Sequence, residues 1–125
     1  MNNGKLYLVA TPIGNMGDIT RRAVEILNTV DIIACEDTRT SGILLAKLNI
    51  KKHLIAHHSY NEKDSTIGII SLLKDGKSVA LISDSGMPVI SDPGASLVDA
   101  VRANNLEVDV IPGASALTTA VAMAA

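Results

Sequence analysis

Apolar residues along the chain form short continuous runs that alternate with stretches of helical spacing. The runs are rich in Val, Ile, Leu and Ala and predict buried strands at 5–10, 31–35, 53–56, 78–82 and 108–111. Between these runs, apolar residues recur every three or four positions and predict helices at 19–29, 40–48, 64–73 and 95–103. A last helical pattern begins at Gly113 and reaches Ala125 without a stop signal.

This alternation predicts an α/β domain with a mostly parallel five-stranded sheet and helices on both of its faces. Ligands of such sheets bind at the carboxyl ends of the strands. We therefore expect the functional residues in the five segments that directly follow Ala10, Cys35, Ala56, Ile82 and Ile111.

Composition and charge narrow the class of protein. Hydrophobic residues make up 47% of the 125 positions and aromatic residues only 2%, so the core consists of aliphatic side chains, as in a buried parallel sheet. The net charge of -2 gives no overall attraction to nucleic acid, so an RNA substrate would not dock mainly on this chain.

A single cysteine, Cys35, excludes an internal disulfide. The sequence shows no secretory signal and no apolar run of membrane length, and we predict a cytoplasmic protein.

Two of the five segments are rich in small residues. The first, 11–18, contains Gly14 and Gly17, lacks the dinucleotide and phosphate-loop motifs, and offers Asp18 as the N-cap of the first helix. The last, 111–116, exposes the free amides of a helix start and the hydroxyl of Ser115, which suit a carboxylate or an adenosine edge. Taken singly, each is equally consistent with a plain connection from strand to helix.

The segment 83–94 is the most unusual, with two glycines and two prolines in twelve residues. Loops of this length inside compact domains are usually functional, and the alternation of proline and glycine specifies one backbone path. Its second half is explained by a helix start at Asp92 and Pro93. Its first half, 83–88, has no such explanation, and we expect it to face a ligand.

Glu36, Asp37 and Arg39 follow the second predicted strand. One carboxylate could orient a substrate hydroxyl or take its proton. Alternatively, Arg39 only neutralises the two acids, and Thr38 or Thr40 caps the next helix.

The segment 57–62, with the sequence His-His-Ser-Tyr-Asn-Glu, follows the third predicted strand. Adjacent histidines do not share one helical face and have no partner at metal-ligand spacing, so we do not expect a metal site. A solvated loop or the rim of a substrate site is the preferred interpretation.

Together these segments resemble one family, the tetrapyrrole methylases, and within it the ribosomal RNA small subunit methyltransferase I group. The resemblance covers the whole chain and depends on five motifs in order: Thr11-Pro12-Ile13-Gly14-Asn15, Glu36-Asp37-Thr38-Arg39, Asn61-Glu62, the segment 83–94 and Pro112-Gly113-Ala114-Ser115-Ala116.

The resemblance implies transfer of a methyl group from S-adenosylmethionine to the ribose 2′-oxygen of a cytidine in bacterial small-subunit ribosomal RNA. It also implies a second domain that begins after Ala125, with this chain as the amino-terminal domain. We expect the chain alone to be catalytically silent and to bind the cofactor weakly. We also expect a homodimer that acts on ribosomal RNA or a ribosomal particle, without a membrane or a metal.

The resemblance also implies site residues. Glu36, Asp37 and Glu62 are the candidate catalytic carboxylates, and Arg39 and Asn61 are candidates for binding the RNA substrate. The segments that would line the cofactor cleft contain Pro12, Gly14, Asp84, Gly86, Met87, Pro88, Ser115 and Ala116. Met87 stands where the commoner family residue is threonine, so a cofactor contact there would come from backbone groups.

Two other functions share the predicted architecture. A methylase of a porphyrin precursor would need a basic pocket for its acidic macrocycle, which the pair Glu36 and Asp37 does not favour. A flavodoxin-like or receiver-like regulatory domain is the second. A receiver domain has acids after its first strand and a lysine after its last, where this chain has Thr11-Pro12 and Pro112-Gly113.

Overall fold

Five strands form one sheet in the computed structural model, which describes residues 3–11, 19–82 and 94–111. The strands are β1 (Lys5–Val9), β2 (Ile32–Cys35), β3 (His53–Ala56), β4 (Val79–Ile82) and β5 (Glu107–Ile111). The helices are α1 (Arg21–Thr29), α2 (Thr38–Lys47), α3 (Glu62–Lys74) and α4 (Gly94–Ala103). The predicted α/β class is confirmed. The helix predicted from Gly113 lies outside the described residues.

All pairs of neighbouring strands are parallel, in the order β3-β2-β4-β1-β5. The last residues of the strands are also in register: Val9 lies opposite both Ile82 and Ile111, and Cys35 lies opposite Ala56. The carboxyl ends of the five strands therefore meet along one edge of the sheet. The predicted location of the functional segments depends on this edge, which we call the carboxyl edge.

Two hydrophobic clusters cover the two faces of the sheet. Alternate strand residues such as Leu8 and Leu81 pack with α3 and α4, whereas Ile33 and Ile82 pack with α1 and α2. Across the sheet, in the order β3, β2, β4 and β1, the helices that follow the strands therefore lie alternately on one face and on the other. Connections that leave neighbouring strands in opposite directions open a crevice at the carboxyl edge, and such crevices hold ligands in α/β sheets.

The helix starts differ from the predicted ones. The N-cap of α1 is Thr20, whose Oγ1 accepts a hydrogen bond from the backbone N–H of Ala23 at 3.1 Å, so the predicted cap Asp18 was wrong. Asp37 caps α2, so this helix begins at Thr38 and neither Thr38 nor Thr40 is the cap. Which residue caps a helix depends on the local path of the backbone, so helix propensity alone does not locate the first residues of α1 and α2.

Candidate functional site

The sheet order divides the carboxyl edge into two parts. The three small-residue segments predicted to hold the cofactor follow β4, β1 and β5, which are neighbours in the sheet. The segments with the carboxylates follow β2 and β3, which are also neighbours. The eight residues predicted to bind the cofactor lie outside the described residues: Pro12, Gly14, Asp84, Gly86, Met87, Pro88, Ser115 and Ala116. The strand ends that precede these segments, Val9, Ile82 and Ile111, lie side by side.

Glu36, Asp37 and Arg39 are all exposed after the end of β2. The Oδ1 atom of Asp37 accepts hydrogen bonds from the backbone N–H groups of Arg39 at 2.9 Å and Thr40 at 3.4 Å. Both hydrogen bonds lower the pKa of Asp37 below its usual 3.8, and the bond from Arg39 has the larger effect. Asp37 is therefore a weaker base than an ordinary aspartate. The described geometry gives Asp37 a structural role, and the catalytic roles of Glu36 and Asp37 stay predictions.

The capping role of Asp37 predicts a specific dependence on pH. Because the pKa is lower in the folded state, the stabilisation is fully present above about pH 4 and is lost as the pH falls through the folded pKa. We expect Asp37→Ala to lower the thermal unfolding midpoint at neutral pH, and this loss to shrink in strongly acidic solution, where the carboxylate of the folded protein is protonated. Asp37→Asn is the control, because asparagine is an uncharged N-cap whose advantage over alanine does not titrate. An alanine effect of equal size at both pH values would contradict the assignment.

His57 begins the segment after β3 and is buried, with 2% of its surface exposed. Its backbone N–H donates to the carbonyl of Cys35 at 2.8 Å, and its Nδ1 lies 2.8 Å from Ser65 Oγ. The Ser65 hydroxyl donates to the carbonyl of Ala56 at 3.2 Å, so the proton shared with His57 belongs to the imidazole Nδ1. The interpretation of 57–62 as a solvated loop was therefore wrong for His57, which anchors the segment to β2 and α3.

Asn61 closes the same segment. Its Oδ1 accepts from the backbone N–H of His58 at 2.8 Å, and its Nδ2 donates to the carbonyl of Ala56 at 2.9 Å. Its backbone N–H also donates to the carbonyl of His58 at 3.2 Å. Both polar atoms of the side chain thus stabilise the turn, and a direct contact of Asn61 with a substrate stays a prediction.

Glu62, the first residue of α3, is half-buried at the carboxyl edge. Its Oε1 accepts a hydrogen bond from Ser96 Oγ in the first turn of α4, 34 positions away in the sequence. A cavity of about 360 Å³ lies beside this contact and is lined by Glu62, Lys63, Thr66, Ile67 and Ser96. Glu62 thus links the start of α3 to α4 through Ser96 and lines this wide-open cavity.

Ser96 is a site residue that the motifs did not identify. Its only signal in the sequence is its place in the first turn of the helix after the segment 83–94.

Among the described residues, no group of three His, Cys, Asp or Glu side chains could hold a metal ion. Within the same ranges, no helix has the length and apolar character needed to cross a membrane.

The chain matches a family of known proteins over nearly its full length. Residues 5–125 match the family model of the tetrapyrrole (corrin/porphyrin) methylases. A protein of Thermotoga maritima called ribosomal RNA small subunit methyltransferase I is 53% identical over 120 residues, which are 96% of this chain and 54% of that protein. Its namesake in Mycoplasmopsis pulmonis is 54% identical over 116 residues, 93% of this chain and 52% of the relative. The chain thus spans about half the length of these relatives.

Solved structures share the fold at lower identity. The uroporphyrin-III-C-methyltransferase of Thermus thermophilus superposes with a TM-score of 0.69 at 24% identity, over 88% of this chain and 47% of that one. A cobalt precorrin-4 methyltransferase from cobalamin biosynthesis gives a TM-score of 0.71 at 19% identity, over 87% and 45% of the two chains. Because the family model matches residues 5–125, the chain belongs to the tetrapyrrole methylase family.

Proposed function

We propose that the protein containing this chain methylates the ribose 2′-oxygen of a cytidine in small-subunit ribosomal RNA, with S-adenosylmethionine as the methyl donor. The observation that carries the proposal is the 53% identity, over 96% of the chain, with a relative named for this class of substrate. The match covers both parts of the carboxyl edge, because it extends over nearly the whole chain.

The order of the strands supports a cofactor site after β4, β1 and β5. Three neighbouring strands end in register there, and each is followed by a segment with glycine and small residues that permits close approach of a ligand to the backbone. When bound, S-adenosylmethionine supplies a methyl group on a positively charged sulfur. Pro12, Gly14, Asp84, Gly86, Met87, Pro88, Ser115 and Ala116 are the residues we propose to hold it.

The reaction requires a group that orients the ribose hydroxyl and accepts its proton. S-adenosylmethionine would supply the methyl group to the 2′-oxygen, and a carboxylate of this chain would orient the hydroxyl and accept its proton. We assign this role first to Glu62, since Ser96 orients its carboxylate beside a cavity. Asp37 is the weaker candidate because its oxygen already caps α2, and Glu36 is exposed, with no partner among the described residues that would orient it.

The remaining features of the proposal concern the whole protein. The relatives are about twice as long as this chain, which supports a second domain that completes the cofactor cleft. A homodimer, a cytoplasmic location and the absence of a metal stay predictions. With half of the cleft missing, we expect the isolated chain to bind S-adenosylmethionine weakly and to transfer no methyl group.

The test is to map ribose methylation in small-subunit ribosomal RNA from cells with and without the full gene. We expect one cytidine to lose its 2′-O-methyl group when the gene is deleted and to regain it when the gene is restored. An unchanged methylation pattern would refute the RNA substrate. Tight stoichiometric binding of S-adenosylmethionine by the isolated chain would refute the requirement for a second domain.

A porphyrin precursor is the second candidate substrate, because the solved structures that share the fold include a uroporphyrin-III methyltransferase. That likeness is at 24% identity, less than half the identity with the ribosomal RNA methyltransferases. Incubation of the full protein with uroporphyrinogen III and labelled methyl donor distinguishes the two. We expect label in ribosomal RNA and none in the macrocycle.

A further inference from the structure

Tyr60 lies on the turn between β3 and α3 with 97% of its surface exposed. The chain has only one other tyrosine, and it has no phenylalanine or tryptophan. Isolated exposed hydrophobic residues are common on protein surfaces, so exposure alone indicates nothing. The turn that carries Tyr60 is the distinguishing feature, because its neighbours on both sides are held by hydrogen bonds.

The turn is fixed from both ends. Before Tyr60, the backbone of His57 bonds to β2 and the backbone N–H of His58 bonds to the side chain of Asn61. After it, Asn61 bonds back to Ala56 through its side chain and to His58 through its backbone. The backbone that carries the ring is thus already held in place, so binding a partner would order the side chain of Tyr60 and not the turn.

The ring of Tyr60 meets that of His58 in an edge contact, with centroids 6.0 Å apart and an angle of 66° between the planes. His58 Nδ1 is buried and has no hydrogen-bond partner among the described residues, which costs free energy in the unbound protein. The contact covers only an edge and leaves almost the whole ring surface in solvent. This arrangement suits stacking, in which a planar partner covers the face of the ring.

The space beside the ring has the size for a nucleotide, and its lining includes one cation, Lys63. A cavity of about 440 Å³ is lined by residues 59–64, and Lys63 lines both this cavity and the one beside Glu62. Lys63 offers the exposed cation that a phosphate requires. The acids Glu62 and Asp64 in the same helical turn repel phosphate, so the backbone of the ligand would pass on the lysine side.

We propose that Tyr60 is the platform on which one base of a single-stranded RNA substrate stacks, with Lys63 binding the adjoining phosphate. The inference deepens the proposed function and rests on it, because RNA is the substrate argued from the relatives. Sequence-specific RNA recognition usually targets unpaired bases, which stack on aromatic side chains. A base stacked here would lie next to the Glu62 cavity, and so next to the proposed site of methyl transfer.

The test uses the full-length protein and a short single-stranded RNA that carries the target sequence with 2-aminopurine beside the cytidine. Stacking on an aromatic ring quenches the fluorescence of this base analogue. We expect quenching with the wild type and with Tyr60→Phe, which keeps a ring for stacking. Tyr60→Ala is expected to abolish the quenching and raise the Kd for RNA by about 5- to 100-fold. Ile43→Ala, at an exposed apolar position on the opposite face of the sheet, is the control and is expected to change neither.

Three outcomes separate the possible failures. Unchanged Kd and quenching in Tyr60→Ala, in a protein that methylates ribosomal RNA, would overturn the stacking proposal and leave the proposed function intact. Wild-type protein that leaves ribosomal RNA unmethylated would instead overturn the proposed function. A lower thermal unfolding midpoint of RNA-free Tyr60→Ala, with RNA affinity unchanged, would show that the rest of the protein covers the ring, and this too would overturn the proposal.

Discussion

In the full-length protein, Glu62→Gln is expected to lower kcat for the proposed methyl transfer to ribosomal RNA by about 100-fold or more, the usual contribution of a positioned general base. Glutamine keeps the size of the side chain and still accepts the hydrogen bond from Ser96, so the contact between α3 and α4 is preserved. The substitution removes the negative charge and the ability to take a proton. The effect is therefore expected in kcat, measured at saturating RNA and S-adenosylmethionine, with little change in either KM.

The matched control is Asp64→Asn, which removes a negative charge from the same helical turn at an exposed position. We expect this variant to retain nearly full activity. Equal losses in the two variants would show that the charge of the turn matters and not the position of the Glu62 carboxylate. Unchanged rates in Glu62→Gln, Glu36→Gln and Asp37→Asn would contradict the participation of any of these carboxylates.

Gly4→Ala is expected to destabilise the protein by about 1–3 kcal/mol, the range for steric overpacking in a close-packed site. Gly4 is buried before β1, and its backbone N–H donates to the carbonyl of Leu73 at 2.7 Å. A Cβ atom at this position would overlap the backbone carbonyl of Lys77 in the turn after α3. Because the obstacle is backbone and not a flexible side chain, the chain must shift and lose the hydrogen bond to Leu73.

Gly68→Ala is expected to have the opposite effect on stability in the same protein. Gly68 lies in α3 and is exposed, and no atom that could clash lies within 4 Å of the place that a Cβ atom would occupy. Alanine there is expected to stabilise the helix by about 0.5–1 kcal/mol, since glycine loses more backbone entropy on folding. Urea unfolding midpoints of the two variants, compared with the wild type, test both signs. A stable Gly4→Ala variant would contradict the close approach of β1 to the turn after α3.

The hydrophobic pattern was sufficient to predict the elements because buried parallel strands and amphipathic helices differ in period. Each of the five strands and four helices in the described ranges appears where a run or a repeat predicts it. The boundaries were less accurate: α3 begins at Glu62, two residues before the predicted start, because Glu62 and Asp64 together form an acidic first turn that favours the helix N-terminus. The order of strands in the sheet has no signature in the local pattern.

The candidate site was predicted only as far as single segments allow. Glu62 was a candidate, but its partner Ser96 lies 34 positions away and becomes its neighbour only through the packing of α4 beside α3. Asn61 was predicted to bind substrate, since a polar side chain that satisfies a turn and one that binds a ligand look alike in sequence. The contrast between buried His57 and exposed Tyr60, three positions apart, likewise requires the path of the turn.

The strand order also determines when the chain can begin to fold during synthesis. Among the described strands, β1 pairs only with β4 and β5, and β4 separates it from β2. A nascent chain that has not reached Ile82 thus carries β1 without a strand partner, beside a β2–β3 pair too small to be stable alone. Exposed apolar strands of this kind aggregate readily. Emerging chains are therefore expected to depend on chaperones until β4 leaves the ribosome and joins the two parts of the sheet.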